Sequence, residues 1–148
     1  MAMTAAESVF VDTNVLVDAT QAASAHHAAA LALLRSPEAA GIPLWISDQV
    51  LREFLAVVTR PQPAVPTMPM ALAIEQVKFF SQRFWIAVEG PAVRTQLLAL
   101  LSTYPTAGRQ VHDANIVATM LANSIKHLLT FNGSDFRRFA SLISVETP

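Results

Sequence analysis

Four carboxylates stand where their neighbours make a structural role insufficient. Asp12 directly follows Val9, Phe10 and Val11, so a short apolar strand ends on it and holds it at the rim of a buried sheet. A carboxylate there is desolvated unless something pairs with it, although an Asx turn after a strand uses the same residue for structure alone. Asp113 is in line with Ile116, Val117, Met120 and Leu121, an apolar stripe at helical spacing that faces a core. A first-turn acid that merely complements the helix dipole, worth roughly 0.3 to 1 kcal/mol, leaves that choice of face unexplained. Glu53 has Val50, Ala56 and Val57 as its helical neighbours, with Phe54 and Val58 beside them. A solvated Glu avoids so apolar a surface, and the plain alternative is an ion pair with Arg52. Asp135 follows the run LLTF in Thr130, Phe131, Asn132, Gly133, Ser134, Asp135, where Asn-Gly-Ser-Asp is equally a good turn and helix cap. Thr130 and Asn132 are placed to hydrogen-bond neighbouring carboxylates and fix their orientation.

Carboxylates that converge on one rim repel: two unit charges at ~4 Å cost about 4 kcal/mol at an effective dielectric of 20. Protons or a cation must relieve this. An all-oxygen site in a chain with no cysteine selects a hard cation, Mg2+ or Mn2+, over zinc. Such a site suits phosphate chemistry, because the ion polarises a phosphoryl oxygen and activates water without a covalent enzyme intermediate. The residues alone leave a phosphodiesterase and a phosphatase both open. His112 precedes Asp113 and is expected to pack or touch a phosphate more than to act as a base. Arg109, Arg137 and Arg138 can border the acidic rim and hold substrate phosphates, or form a solvated helix face. His26, His27 and His127 have no ligand spacing and read as surface or packing residues. The aromatic cluster Phe79, Phe80, Phe84 and Trp85 favours core packing or a dimer seam over base stacking.

The elements that position these groups alternate. Strands are expected at Ser8 to Asp12, Leu44 to Ile46, Ile86 to Val88, His127 to Phe131 and, as an edge, Leu142 to Val145. Helices are expected from Asn14 to Ala19, from an N-cap at Ser24 through Leu34, after a cap at Ser47 or Asp48, from Met70 to Phe84, from Ala92 to Leu101 behind Pro91, from Gln110 to Ser124, and from Ser134 to Phe139. Pro61, Pro63, Pro66 and Pro69 make an extended connector. The alternation points to a parallel sheet with helices on both faces, where ligands collect beyond the carboxyl ends of the strands. The 148 residues, 53% apolar and 14% charged, suit one domain that folds without disulfides. A formal charge of −1 supplies no overall basic field, so any nucleic-acid contact is local. No apolar stretch reaches the ~20 residues that cross a bilayer. The opening MAMTAAESVF lacks a basic n-region and a continuous apolar segment, so the expected location is the cytoplasm.

Four segments, VFVDTNVLVD, VLREFLAVVTRP, VHDANIVATMLA and LLTFNGSDFRRF, stand in an order and spacing that resembles the PIN-domain ribonucleases, and among them the VapC-type toxins. The likeness spans nearly the whole chain. It implies a three-layer α/β/α sandwich with a central, mainly parallel sheet of four or five strands, in a single domain over residues 1–148. It also implies cleavage of RNA with Mg2+ or Mn2+, a homodimer, and neutralisation by a cognate antitoxin. Carried over motif by motif, Asp12, Glu53, Asp113 and Asp135 would be the catalytic, metal-binding cluster, supported by Thr13, Asn14, Thr130 and Asn132. Many relatives place an acid two residues after the Thr of the last motif, whereas this chain has Asn132 there and its acid at Asp135. Two other readings compete. A non-catalytic module of the same fold would tolerate loss of rim acids, yet all four positions are acidic. An aspartyl-nucleophile phosphatase wants a second acid two residues after the first, where this chain has Asn14.

Overall fold

Val9-Phe10-Val11 forms strand β1 (Val9–Val11), and all three side chains are buried. The structure is a computed structural model that describes residues 7–148; the first six residues, on which the leader reading rests, lie outside the described residues. A strand buried on both faces belongs in the middle of a sheet covered on both sides. β1 does: with β2 (Leu44–Ser47), β3 (Trp85–Ala87), β4 (His127–Leu129) and β5 (Ser144–Glu146) it forms a sheet in the order β3-β2-β1-β4-β5. Every pairing is parallel, with Phe10 opposite both Trp45 and Leu128. Burial falls off toward the edges, where Trp85 on β3 and Ser144 and Glu146 on β5 are exposed.

The helices are α1 (Thr13–Thr20), α2 (His27–Ala39), α3 (Asp48–Val58), α4 (Met70–Arg83), α5 (Pro91–Thr103) and α6 (Gln110–Ala122), followed by a 3-10 turn at Gly133–Phe139. α1 packs against α2 and α3, α3 against α4, and α5 against α6. Together with the doubly covered central strand this makes an α/β/α sandwich. Its core joins Phe10, Leu16, Ile46, Phe54, Ile116 and Met120, all essentially inaccessible. Phe54 meets Phe80 edge to face with ring centres 5.1 Å apart, which ties α3 to α4.

Local expectations hold with three corrections, at Ser24, at the last strand and in the proline-rich connector, and the choice between two caps for α3 resolves. Ser47, not Asp48, caps α3 by accepting from the Val50 N–H at 3.5 Å. Ser24 does not cap α2, which starts three residues later and runs on to Ala39 with Pro37 inside it; the Ser24 hydroxyl instead donates to Asp18 at 2.6 Å. The last strand starts two residues later than expected and ends one later, because the turn after the 3-10 segment is closed by Ile143 N–H donating to Phe139 O. The proline-rich connector is not extended throughout: it turns at Pro63 and Ala64, where Ala64 takes a φ of 60°, and an antiparallel bridge joins Gln62 to Val65 across that turn. The aromatic cluster divides: Phe80 and Phe84 are core, whereas Phe79 is 52% and Trp85 63% exposed.

The strand order reverses direction at β1. The chain steps outward from β1 through β2 to β3, then returns to lay β4 on the other side of β1. A crevice opens at such a point beyond the carboxyl ends of the two strands, and Asp12 and Thr130 are the residues that follow β1 and β4.

Candidate active site

Asp12 is held where the two central strands end. Its own N–H extends the ladder to Leu129 O at 3.0 Å, which fixes the backbone, and it then serves as N-cap of α1 by accepting the Thr13 N–H on Oδ1 at 2.8 Å. Its other oxygen accepts from Thr130 Oγ1 at 2.8 Å and Asn14 Nδ2 at 3.1 Å. Only 6% of Asp12 is exposed. The structural reading of this residue is therefore correct, but it does not exhaust it, since the same carboxylate faces a cavity of about 280 Å³. Thr13, Asn14, Asp18, Glu53, Asp113 and Asn132 also line that cavity, with Val17 and Val57 as its apolar side.

Glu53 enters from α3 and has no need of Arg52. Its two oxygens accept from Thr13 Oγ1 at 3.0 Å and from Gln49 Nε2 at 2.9 Å. Asp113 enters from the first turn of α6, half-buried. Asn14 closes the base of the site: its amide donates to Asp12 and Thr130, and its Oδ1 accepts the Phe131 N–H at 2.9 Å. Thr130 Oγ1 accepts the Asn132 N–H at 3.0 Å. Thr13, Asn14 and Thr130 thus hydrogen-bond the carboxylates, whereas Asn132 lines the cleft and donates its N–H to Thr130, with no bond to a carboxylate.

Burial pushes the Asp12 carboxyl up to about 6, against the hydrogen bonds from Thr130 and Thr13, and the Glu53 charge adds to the rise. Asp113 is also pushed up to about 6, by burial first and then by repulsion from Asp12 and Asp135, while Arg138 pulls the other way. Two acids from segments a hundred residues apart thus sense each other's charge. Perturbation of this kind, from desolvation plus a specific charged neighbour in a cleft, marks functional sites.

The remaining residues are distributed less evenly. Asp135 is exposed on the 3-10 turn and does not line the cleft; it reaches the site only through its charge. Arg138 is pinned, donating to Asp135 O at 3.0 Å and Gln110 O at 3.3 Å with its guanidinium over the Phe139 ring. Arg109, Arg137 and His112 are exposed. Sequence reasoning missed one part of the site. Gln49, buried one turn before Glu53, donates to both Glu53 and His112 O, while its Oε1 accepts from Asn115 Nδ2 at 2.6 Å. Glu89, on the loop after β3, accepts from Asn115 Nδ2 at 2.9 Å and the Gln49 N–H at 3.1 Å. This chain of bonds ties the start of α3 to the start of α6 and aims Glu53. The signal was available: a Gln four residues before Glu53 on the same apolar face.

A family model, that of the PIN domain, matches residues 9–142. The chain belongs to the PIN-domain family. Solved structures agree in fold. VapC20 of Mycobacterium tuberculosis, described as a sarcin-ricin loop cleaving toxin, is 22% identical with a TM-score of 0.71, over 95% of this chain and all of that one. VapBC2 of Rickettsia felis, bound to a promoter DNA fragment, is 21% identical with a TM-score of 0.64, over 94% of this chain and 97% of that one. A toxin-antitoxin complex from Klebsiella pneumoniae is 20% identical with a TM-score of 0.63, over 93% and 97%. No curated protein matches the sequence.

The donor set of this PIN domain can be tested against a divalent ion. All the groups lining the cleft that could ligate one are oxygens, which suits Mg2+ or Mn2+. Among the described residues, no three or more His, Cys, Asp or Glu side chains form a ready-made cage. This fits the usual habit of Mg2+, which takes one or two carboxylates and completes its shell with water and substrate oxygens.

Proposed function

We propose that this PIN domain is a divalent-metal-dependent endoribonuclease acting as the toxin of a toxin-antitoxin pair. The observation that carries the reading is the convergence of Asp12, Glu53 and Asp113 on one cleft, with Asp12 and Asp113 pushed up to about 6. When bound, Mg2+ or Mn2+ supplies charge neutralisation and Lewis-acid activation for in-line attack of water on a phosphodiester. The protein's part is orientation. Asp12, fixed by three donors, is the rigid anchor for a cation. Glu53, aimed by Thr13 and Gln49, sets the second side of the cleft. Asp113 is more accessible and would complete the carboxylate face that holds the ion opposite Asp12. Asp135 contributes field and not direct ligation in this arrangement. Arg109, Arg137 and His112 are free to meet RNA phosphates, whereas Arg138 holds the 3-10 turn in place.

The fold shared with VapC20 and with VapBC complexes supports an antitoxin partner and an RNA substrate. Met70, Leu72, Ile74 and Phe79 along α4, with Leu98 on α5, expose apolar surface suited to an antitoxin or to a second copy in a homodimer. Among the described residues no helix is long and apolar enough to cross a membrane, consistent with action on RNA in the cytoplasm. The test is cleavage of total RNA by the purified chain with Mn2+, with Mg2+ and with EDTA. Discrete fragments in either metal and none in EDTA are expected; fragments that persist in EDTA, or none under any condition, contradict the reading.

A further inference from the structure

Beside the acidic cleft lies a second hollow of about 590 Å³ whose walls are of a different kind. His26, Phe131 and Arg137 line it, with Gly133 and Ser134 between them and Thr147 on the far side. It adjoins the cleft through one continuous segment, since Asn132 lines the cleft while its neighbours Phe131 and Gly133 line the hollow. The His26 and Phe131 rings lie 5.1 Å apart, tilted by 34°. Phe131 packs part of its surface on the core and is anchored by its N–H to Asn14. His26 is exposed but not loose: its N–H donates to Ser24 Oγ at 3.2 Å, and Ser24 in turn donates to Asp18 of the cleft. Arg137 is exposed and belongs to no ion pair among the described residues. At Gly133 a Cβ would lie 2.8 Å from Thr147 Cγ2, so the floor is as close as backbone allows.

The geometry points to a subsite for a nucleotide of single-stranded RNA next to the scissile bond, its base against the Phe131 and His26 rings and its phosphate on Arg137. This rests on the nuclease reading of the cleft and extends it. Each part has a physical reason. An aromatic face accepts any base by stacking, a free guanidinium recognises a phosphate by paired donors, and the cleft itself, rich in carboxylates, repels the polyanion. A chain with net charge −1 has no general attraction for RNA. Binding must therefore come from a flank where aromatic and cationic groups coincide, and this flank adjoins the acidic cleft through Asn132.

The experiment is fluorescence anisotropy of a short, mixed-sequence single-stranded RNA oligonucleotide on the full chain in EDTA, with cleavage in Mn2+ measured in parallel. Phe131→Leu keeps apolar volume on the core but removes the stacking face, and is expected to weaken binding about tenfold. Phe131→Trp restores the face and with it the affinity. Arg137→Ala is expected to weaken binding and to reduce the slope of log affinity against log salt by about 0.7. Melting temperatures of all three should match the parent. Binding unchanged in Phe131→Leu and Arg137→Ala, with cleavage by the parent intact, overturns the subsite and leaves the nuclease reading standing. A parent protein that neither binds nor cuts RNA overturns both.

Discussion

The two ends of the sheet carry hollows of opposite character. At the start of β2 and β3 a cavity of about 750 Å³ is lined by Arg35, Glu38, Leu44, Arg83 and Trp85. It is the larger, yet its central charges cancel: Arg83 donates through Nε and Nη2 to both oxygens of Glu38, at 3.1 and 2.8 Å. At the carboxyl end the cleft has about 280 Å³, and its acids face one another. Two of them are pushed up to about 6 because burial and like charge oppose ionisation. Room does not mark the chemistry here. Charge left uncompensated in a partly dry place does, because it must be satisfied by a proton or by a cation from outside.

The sharpest way to break this contrast is to remove charge at each end in turn. Asp113→Ala, or Asp12→Ala, should lower RNA cleavage by about a thousandfold or more, whereas Glu38→Ala at the other end should leave the rate within about twofold. Equal losses at both ends would mean that the fold, and not the cleft, had been damaged. A smaller effect is expected one step back from the acids. Gln49→Ala frees Glu53 from its donor and severs the link to Asn115, and should reduce cleavage by about ten- to a hundredfold, the usual range for residues that orient a ligand. Its melting temperature should stay close to the parent's.

Proton linkage sharpens the comparison further. Because Asp12 and Asp113 hold their protons more tightly in the fold than at their ordinary value of 3.8, the native protein binds more protons than the unfolded chain between about pH 4 and 6. Metal-free stability contributed by these groups is therefore full below about pH 4 and lost as pH rises through about 6. A divalent ion competes with those protons, so cleavage and apparent Mn2+ affinity should rise through the same window. Asp113→Asn removes the repulsion. Thermal melts without metal should show it more stable than the parent by a few degrees at about pH 7.5, and no different at about pH 3.5. The smallest effect is expected at the far end: Arg83→Ala should cost under ~1 kcal/mol in denaturant unfolding, since its pair with Glu38 is solvent-exposed.

Much of this was legible in the order of residues. A run of three apolar side chains before Asp12 predicts the central strand because a doubly covered strand has no polar alternation, and the acid at its end is then placed by topology. Asp113 and Glu53 were legible for the related reason that a carboxylate on an apolar helical stripe needs an explanation. Asp135 was harder, since its residue type and turn context are shared by any exposed cap, and it does prove exposed. The Gln49, Asn115 and Glu89 chain was missed because only its first member left a trace, a Gln one turn before Glu53; Asn115 on α6 and Glu89 on the loop after β3 gain meaning only when α3 and α6 are brought end to end. Ser24 misled for a similar reason. A cap-like residue three positions before the real helix start donates its hydroxyl to Asp18 instead of capping the helix.

Calorimetric titration of Mn2+ into the metal-free protein at about pH 7.5 tests the central claim most directly. One saturable binding event is expected in the parent, and none in Asp113→Ala or Asp12→Ala, both still folded by circular dichroism. No heat in the parent, or the same titration in all three proteins, would contradict it.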